Sequence, residues 1–277
     1  MKRINLLRTT AILNSKSLIT AVLLVAASTS WSQNSGGNSV SNKEKAMAIL
    51  NSLESRDQVG PGYISDERYI QHNLVIADNK PGFLALQKWL PEGNKVNIVR
   101  AFEDGDYVFL NVGYNLGGPM VGMDIFRFKN GKAVEHWDNL QLVPKLAATG
   151  THTMIDGPTT PKDLDRTAEN KKLIRKYVQE VFVNGHPDKR DKYIDGDNFV
   201  EHHPGFADGL SGLKYTAIHL VLGQGNFCLV AGEAFVGGKH CALYDLYRIE
   251  SGKLAEHWGT IEEIPAKETW KNPNGKF

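Results

Sequence analysis

The sequence has little cysteine, almost no net charge and no long hydrophobic run. Its 277 residues include two cysteines, and 32 basic side chains nearly balance 31 acidic ones. That balance provides no electrostatic basis for binding nucleic acid or an anionic membrane surface. The apolar run Leu18 to Ala27 has about ten residues, whereas a membrane-spanning helix needs about twenty. A hydrophobic content of 41% is typical of a globular protein.

Several catalytic motifs are missing as well. There is no Gly-x-Ser-x-Gly turn for a serine nucleophile, and no glycine-rich loop of the Walker or dinucleotide type. The two cysteines, Cys228 and Cys241, lie on two predicted neighbouring strands. A turn at Gly237-Gly238 would place Cys241 opposite Ala234, several residues from Cys228. We therefore predict two buried thiols and no disulfide.

The N-terminus has the pattern of a secretory signal peptide, residues 1–32. Basic residues precede the apolar run, and small residues lead to a cleavage site around Ser30 to Ser32. The alternative, a single membrane anchor, is disfavoured by the short run. We predict a periplasmic or secreted protein that is free of the membrane after cleavage. Residues 33–42, rich in Gly, Ser and Asn, are predicted to be a disordered leader.

The most informative feature is an internal duplication. DIFRFKNGKAVEHWD, starting at Asp124, recurs as DLYRIESGKLAEHWG, starting at Asp245, at a constant offset of 121 residues. Both copies alternate large and polar residues around Asn-Gly or Ser-Gly, which predicts a β-hairpin. Conserved spacing over this length indicates two copies of one domain.

Each copy begins with helical periodicity and ends in a series of strands. We predict domain 1 at residues 43–144, a linker at 145–167, domain 2 at 168–265 and a C-terminal tail at 266–277. Helices followed by antiparallel strands predict an α+β fold, with helices packed on one face of a bent sheet and an open, cone-shaped pocket between them.

The motifs resemble a known family. YIQHN…ADNKPGF near His72 and EHHPGFADGLSG near His202 resemble the Y-x-x-H-N-P…A-D-G signature of the SnoaL-like branch of the NTF2-like superfamily. The hairpin sequences resemble the D-x-x-R-x-x-x-G-K-x-x-E-H-W-D signature of that branch. The resemblance covers both copies, with Leu74 in place of the expected proline and Gly259 in place of the final aspartate.

The resemblance implies two tandem cone-shaped domains that act on small apolar carbonyl compounds. Relatives include polyketide cyclases, ketosteroid isomerases and dehydratases, which need no metal or organic cofactor, and also members without catalysis. Since relatives dimerise through their sheets, the tandem copies imply an intrachain pseudo-dimer.

The hairpin provides the first catalytic candidates. A regular ladder from the Asn130-Gly131 turn places His136, Asp138 and Arg127 on one face, and Asp124, Glu135 and Trp137 on the other. We predict His136 as acid or base, with Asp138 orienting it or acting as the base. A purely structural His136 is the alternative. Because Gly259 replaces the acid in the second copy, His257 is predicted to be structural.

A wider set of side chains could contact substrate. His72 is predicted to donate to a substrate oxygen, or else to cap a neighbouring loop. The predicted substrate-binding residues are Arg127, Trp137, Asp78, Asp124, His202, Asp208, His257 and Trp258. Asp78 and Asp208 have an alternative role as turn residues.

Two further questions concern metal and catalysis. A metal site built from His202, His203, His240, His257, Glu201 and Asp208 is disfavoured, because adjacent histidines on a strand point to opposite faces and His203 has no match in the first copy. We expect no metal and no cofactor. The sequence leaves two functions open, a cofactor-free acid/base lyase or isomerase and a non-catalytic module that binds a small molecule or a partner.

Overall fold

A computed structural model describes residues 39–144, 152–205 and 213–277, and it has the predicted α+β architecture in two similar units. The predicted signal peptide and most of the predicted leader, residues 1–38, lie outside the described residues, as do 145–151 and 206–212. No helix of the described segments is long and apolar enough to cross a membrane.

The first unit packs three helices on a five-stranded sheet. A capping box starts the first helix, because Ser41 and Glu44 satisfy each other's free backbone N–H groups. The helices are α1 (Asn42–Ser55), α2 (Val59–Gly62) and α3 (Asn79–Trp89). The strands are β1 (Ile70–Gln71), β2 (Lys95–Asp104), β3 (Tyr107–Asn115), β4 (Pro119–Lys129) and β5 (Lys132–Leu142).

The second unit repeats this plan with fewer regular helices. It contains α4 (Thr167–Tyr177), which runs into a π-helical turn at Val178–Val183. Its strands are β6 (Val200–Glu201), β7 (Lys214–Gln224), β8 (Phe227–Val236), β9 (Lys239–Glu250) and β10 (Lys253–Glu263). The strand orders, β1-β5-β4-β3-β2 and β6-β10-β9-β8-β7, are equivalent. The sequence reasoning had left β7 unassigned.

The two hairpins that carry the duplicated motif are β4–β5 and β9–β10. They have the predicted turns but not the predicted register. Asn130 and Gly131 both have positive φ, as a two-residue turn matched to strand twist requires. A β-bulge then follows, so that Phe128 pairs with Ala133 but Arg127 pairs with Glu135. The second hairpin has a bulge at the same place, between Leu254 and Glu256. One extra residue reverses the face of every side chain beyond it.

The two sheets pack against each other through their faces opposite the helices. The contact is an apolar cluster contributed almost equally by both units: Phe102, Phe109, Met123, Ile125, Trp137, Leu222, Phe227, Leu229, Ala231, Tyr244, Leu246 and Trp258. Beside it, the Asn139 amide donates to the carbonyl oxygens of Ala242 and Thr260. Asn139 and Thr260 occupy equivalent positions in the duplication. Burial of this apolar area holds the units together.

The chain beyond β10 returns to the first unit. The amide of Asn272 donates to the carbonyl oxygens of Asn73 and Ile76, at 2.8 and 2.9 Å. The Asn274 amide donates to Gln71 O at 3.0 Å. The segment predicted as a tail thus contacts the β1 strand and the loop after it.

Both cysteines are buried and free, and Cys241 pairs with Ala234, as the Gly237-Gly238 turn predicts. Burial raises the pKa of the Cys228 thiol to about 12. These thiols are therefore part of the packing and are not reactive at neutral pH.

Candidate functional site

The first unit encloses a cavity of about 740 Å³ between its sheet and helices. Leu50 and Leu53 from α1 and Phe83 and Leu86 from α3 supply part of its apolar wall. Trp89, which is 77% exposed, lies at the edge of the cavity. The polar side chains among its lining residues are Gln71, Asn73, Tyr114, Asp124, His136 and Asp138. An apolar cavity with a few clustered polar groups is the usual form of a small-molecule site.

Three buried ionisable side chains converge on the strand wall of this cavity. Asp124 on β4 pairs directly with Asp138 on β5, and His136 precedes Asp138 by two residues. Side chains two apart on a strand share a face, so all three point toward the helices. His136 Nε2 lies 3.3 Å from Asp124 Oδ1.

The hydrogen bonds of His136 fix its tautomer. Gln71 Oε1 accepts the backbone N–H of Asn73 at 2.8 Å, so the oxygen of this amide, and not its nitrogen, lies 3.0 Å from His136 Nδ1. Nδ1 therefore donates. A proton on either Nε2 or the Asp124 carboxyl group would complete this contact as a hydrogen bond.

The surroundings of Asp124 favour the neutral carboxyl group more than those of an isolated aspartate do. Burial raises the pKa of Asp124, bonds from His136 lower it, the charge of Asp138 raises it, and the net direction is upward. The Tyr114 hydroxyl donates to Asp124 Oδ2 at 2.9 Å. A buried carboxyl group of raised pKa is suited to donating a proton near neutral pH.

Asp138 is held at one oxygen and open at the other. Its Oδ2 accepts the Asn73 side-chain amide at 2.7 Å. Its Oδ1 is buried and accepts no hydrogen bond within the described part of the chain, although Lys276 Nζ lies 3.6 Å away. An oriented carboxylate with a free lone pair beside an apolar cavity has the form of a general base.

The predicted grouping of site residues on the hairpin is wrong in two respects. The bulge places Asp124 on the face of His136 and Asp138, and it moves Arg127 to the opposite face with Trp137. It is Asp124 and Gln71, and not Asp138, that orient the His136 ring. The prediction failed because it assumed an unbroken ladder from the turn.

His72 and its neighbours form a second cluster on the face turned toward the other sheet. The His72 ring stacks on Trp137 at 4.8 Å, its Nδ1 donates to Gly275 O at 2.9 Å, and its Nε2 contacts Glu135 at 3.0 Å. Arg127 Nε donates to the same carboxylate at 2.7 Å. The predicted role of His72 toward substrate is therefore not supported, because both ring nitrogens are engaged and the ring lies outside the cavity lining.

The second unit repeats this outer cluster. His202 stacks on Trp258 at 4.4 Å, and its Nε2 contacts Glu256 at 3.1 Å. The Trp258 indole donates to Asp156 O. Trp137 and Trp258 belong to the apolar cluster between the sheets. The predicted substrate-binding residues Arg127, Trp137, His202 and Trp258 are not among the residues that line the cavity.

Asp78 is not among the residues that line the cavity. Its Oδ1 accepts from the Gln71 backbone N–H at 3.0 Å and from the Asn274 amide at 2.9 Å, just before α3 begins. The stretch between Gln71 and Asp78 contributes several residues to the cavity lining and is named the cavity segment. The bond between Asp78 and the Gln71 backbone connects its two ends. Asp208 lies outside the described residues.

In the second unit, His257 is equivalent to His136 but has differently charged neighbours. His257 Nδ1 contacts Glu201 at 2.8 Å, where the first unit has the neutral Gln71, and Nε2 contacts Asp245 at 3.0 Å. Burial alone lowers the pKa of His257, but the two carboxylates outweigh burial and raise it to about 9. His257 is therefore a buried imidazolium at neutral pH.

The second unit also has different residues at the positions equivalent to Asp138 and Asn73. Gly259 takes the place of Asp138, and a Cβ atom there would lie only 3.2 Å from Asp245 Oδ1. His203 replaces Asn73, and burial together with the charge of His257 lowers the pKa of His203 to about 4. The second unit therefore retains the fold of the site without its open carboxylate.

Several site residues were missed by sequence reasoning, namely Gln71, Asn73, Tyr114 and Lys276. Gln71 and Asn73 could have been noticed from the sequence, because they flank His72. When the two copies are aligned at the offset of 130 that relates His72 to His202, the equivalent residues are different, namely Glu201 and His203. Tyr114 and Lys276 carried none.

Among the residues that the structure describes, two groups of side chains have donor atoms close enough to share a metal ion. They are Asp124, His136 and Asp138 in the cavity, and His152, Asp156 and His202 in the second unit; within each group the donor atoms lie within 4.8 Å of one another. In the second group both His202 nitrogens already contact carboxylates. Neither group matches the metal set weighed from the sequence.

Comparison with known proteins finds similarity among solved structures. No protein-family model matches the chain, and no curated protein is significantly similar. An NTF2-like protein of unknown function from Cytophaga hutchinsonii matches at 9% identity and a TM-score of 0.33, over 37% of this chain and 92% of its own. IdmH from Streptomyces antibioticus, a proposed polyketide cyclase, matches at 14% and 0.32, over 36% and 91%.

An LEH-like epoxide hydrolase from M. tuberculosis matches at 17% identity and a TM-score of 0.32, over 36% of this chain and 82% of its own. These neighbours include the NTF2-like group that the sequence motifs resemble. Each match spans about the share of the chain that one unit occupies.

Proposed function

We propose that the first unit is a cofactor-free acid/base enzyme, an aldol-type cyclase, isomerase or dehydratase, acting on a small apolar carbonyl compound. The observation that carries this proposal is the close contact of Asp124 with His136 beside the open carboxylate of Asp138, all three lining one apolar cavity. Such a set can supply both an acid and a base.

The geometry divides the proton transfers between the two carboxyl groups. Asp138 Oδ1 takes the proton from the carbon next to the substrate carbonyl, and the electron pair of that C–H bond forms the enol. The Asp124–His136 pair donates its proton to the carbonyl oxygen, so that no charged enolate accumulates. In an isomerisation, Asp138 returns the proton to another carbon while the enol O–H gives its proton back to the Asp124–His136 pair. In an aldol reaction, the enol carbon attacks a second carbonyl group, the oxygen of that group takes the proton from Asp138, and the enol O–H again returns its proton to the pair.

The second unit serves as a scaffold in this proposal. Its imidazole is held between two carboxylates, and it lacks the acid that would face a substrate. The two packed sheets support the predicted intrachain pseudo-dimer, in which one half is active and the other stabilises it.

The alternative function is a non-catalytic module that binds a small apolar molecule in the same cavity. The apolar wall and the absence of an Asp138 equivalent in the second unit favour it. Under this alternative, the buried polar cluster would only orient the carbonyl group of a ligand through hydrogen bonds.

A screen of apolar ketones and aldehydes with four matched variants separates the two functions. Asp138→Asn, Asp124→Asn and His136→Gln alter the cavity set, and His257→Gln makes the equivalent change in the second unit. Loss of turnover in the first three, with ligand affinity retained and with His257→Gln active per folded molecule, supports the enzyme. A wild-type protein that binds ligands tightly but converts none contradicts it.

We also propose that the chain is exported. The charged and apolar pattern of residues 1–32 supports this proposal. Mass spectrometry of the protein recovered from a periplasmic fraction would give a mature N-terminus near Gln33. Recovery of the intact N-terminus from the cytoplasm would contradict it.

A further inference from the structure

The C-terminal segment, residues 271–277, reaches across from the second unit to the cavity segment of the first. The Asn272 amide bonds the carbonyl groups of Asn73 and Ile76, and the Asn274 amide bonds that of Gln71. The backbone N–H of Lys271 donates to Leu74 O at 2.8 Å. These bonds hold the stretch that carries Gln71 and Asn73, the two side chains that orient His136 and Asp138.

Lys276 brings a positive charge into the same region. Its side chain is 4% exposed, and Nζ lies 2.7 Å from Glu262 Oε2 and 3.6 Å from Asp138 Oδ1. A buried ammonium group requires an opposite charge, because desolvation costs several kcal/mol for each unpaired ion. Glu262 also accepts the Leu140 N–H, which fixes it beside β5.

Lys276 provides the positive charge beside two carboxylates, Glu262 and Asp138. Glu262 and Asp138 together carry two negative charges when ionised, and within the described residues Lys276 is the cation that contacts both. Without the ammonium group, two carboxylates would repel each other in a region of low dielectric. The ammonium group of Lys276, which lies within 3.6 Å of both carboxylates, offsets this repulsion.

We propose that Lys276 is a positioning residue for Asp138, so that the C-terminal segment of the second unit completes the catalytic cavity of the first. The ammonium group places a positive charge 3.6 Å from Asp138 Oδ1 and holds that oxygen in place, while the asparagine bonds of the segment hold Gln71 and Asn73. The proposal rests on the proposed function only for the consequence in catalysis. The placement of the carboxylate is independent of any reaction.

The test uses nuclear magnetic resonance of the full-length protein without ligand. The side-chain amide of Asn73, which bonds Asp138 Oδ2, and the ring protons of His136 report on the carboxylate. Lys276→Met removes the ammonium group, Lys276→Arg retains a positive charge, and Lys271→Met is a matched control on an exposed lysine of the same segment.

We expect Lys276→Met to shift both reporters, because the positive charge beside Asp138 Oδ1 is removed. Lys271→Met and Lys276→Arg should keep the wild-type pattern. A Lys276→Met spectrum identical to that of Lys271→Met would overturn the proposal.

A double variant guards against a single variant that fails to fold. Lys276→Met with Glu262→Gln removes the ammonium group together with its closest partner, so that Glu262 is not left as an unpaired charge. The same reporter shifts are expected in it, and their absence would overturn the proposal equally.

Turnover is measured separately on any substrate that the carbonyl screen provides. The pH profile of kcat/KM should move in Lys276→Met and return in Lys276→Arg. If the wild type converts no compound, the proposed enzyme function fails, but the reporter shifts still decide the role of Lys276.

Discussion

The raised pKa of His257 in the second unit predicts how the stability of the protein changes with pH. Glu201 and Asp245 raise the pKa of His257 from an ordinary 6.5 to about 9. A pKa raised in the folded state stabilises the chain fully below about pH 6.5, and this contribution disappears as the pH rises through about 9. Each pH unit between the two values is worth about 1.4 kcal/mol, so the imidazolium contributes about 3 kcal/mol to the free energy of unfolding.

Glu201→Gln tests this reasoning, because it gives the second unit the neutral amide that the first unit has at Gln71. The variant should lose stability at pH 6.5 and should show a smaller fall in unfolding free energy between about pH 6.5 and pH 9. Urea denaturation at a series of pH values measures the fall, and the Cε1 proton of His257 reports its titration directly.

Glu268→Gln, at an exposed position of the C-terminal region, is the control and should follow the wild type. If Glu201→Gln showed the wild-type pH dependence, the imidazolium of the second unit would not be a source of stability. The contrast drawn between the two sites would then lose its physical basis.

Three other predictions concern the cavity and the contact between the sheets. Ala85→Trp fills part of the cavity from α3, and we expect ligand affinity, measured by titration calorimetry, to fall about tenfold or more while the melting temperature changes little. Gln71→Glu places a second carboxylate on the His136 imidazole, as in the second unit; kcat should fall about a hundredfold while the ligand Kd is kept, and unchanged turnover would contradict the proposed acid role of the Asp124–His136 pair. Ile125→Ala and Leu246→Ala, equivalent positions in the two sheets, should each cost about 2–5 kcal/mol in urea denaturation, and a near-neutral result for either would argue against a packed interface.

The sequence was sufficient for the architecture because the relevant signals are local or repeated. The Asn-Gly turn specifies the hairpin through positive φ at both residues. Helical periodicity identified α1, and the conserved offset of the two motifs identified the duplication. Each of these patterns is independent of which distant segment packs against it.

The site was only partly predictable, because its layout depends on one extra residue and on distant contacts. The bulge near Val134 has no distinctive sequence, yet it decides that Asp124 and not Arg127 faces the cavity. The contact of Lys276 with Asp138 joins the chain end to the first unit, and no periodic pattern encodes such a contact. By contrast, the exchange of Gln71 for Glu201 was visible in the aligned copies.

The most direct test of the central claim is exchange of substrate hydrogen with solvent. Wild-type protein and the Asp138→Asn variant would be incubated in D₂O with an apolar ketone that binds the cavity, and deuterium next to the carbonyl would be followed by mass spectrometry. The account predicts rapid incorporation with the wild type and almost none with Asp138→Asn. Equal incorporation by the two proteins, or none with the wild type, would contradict it.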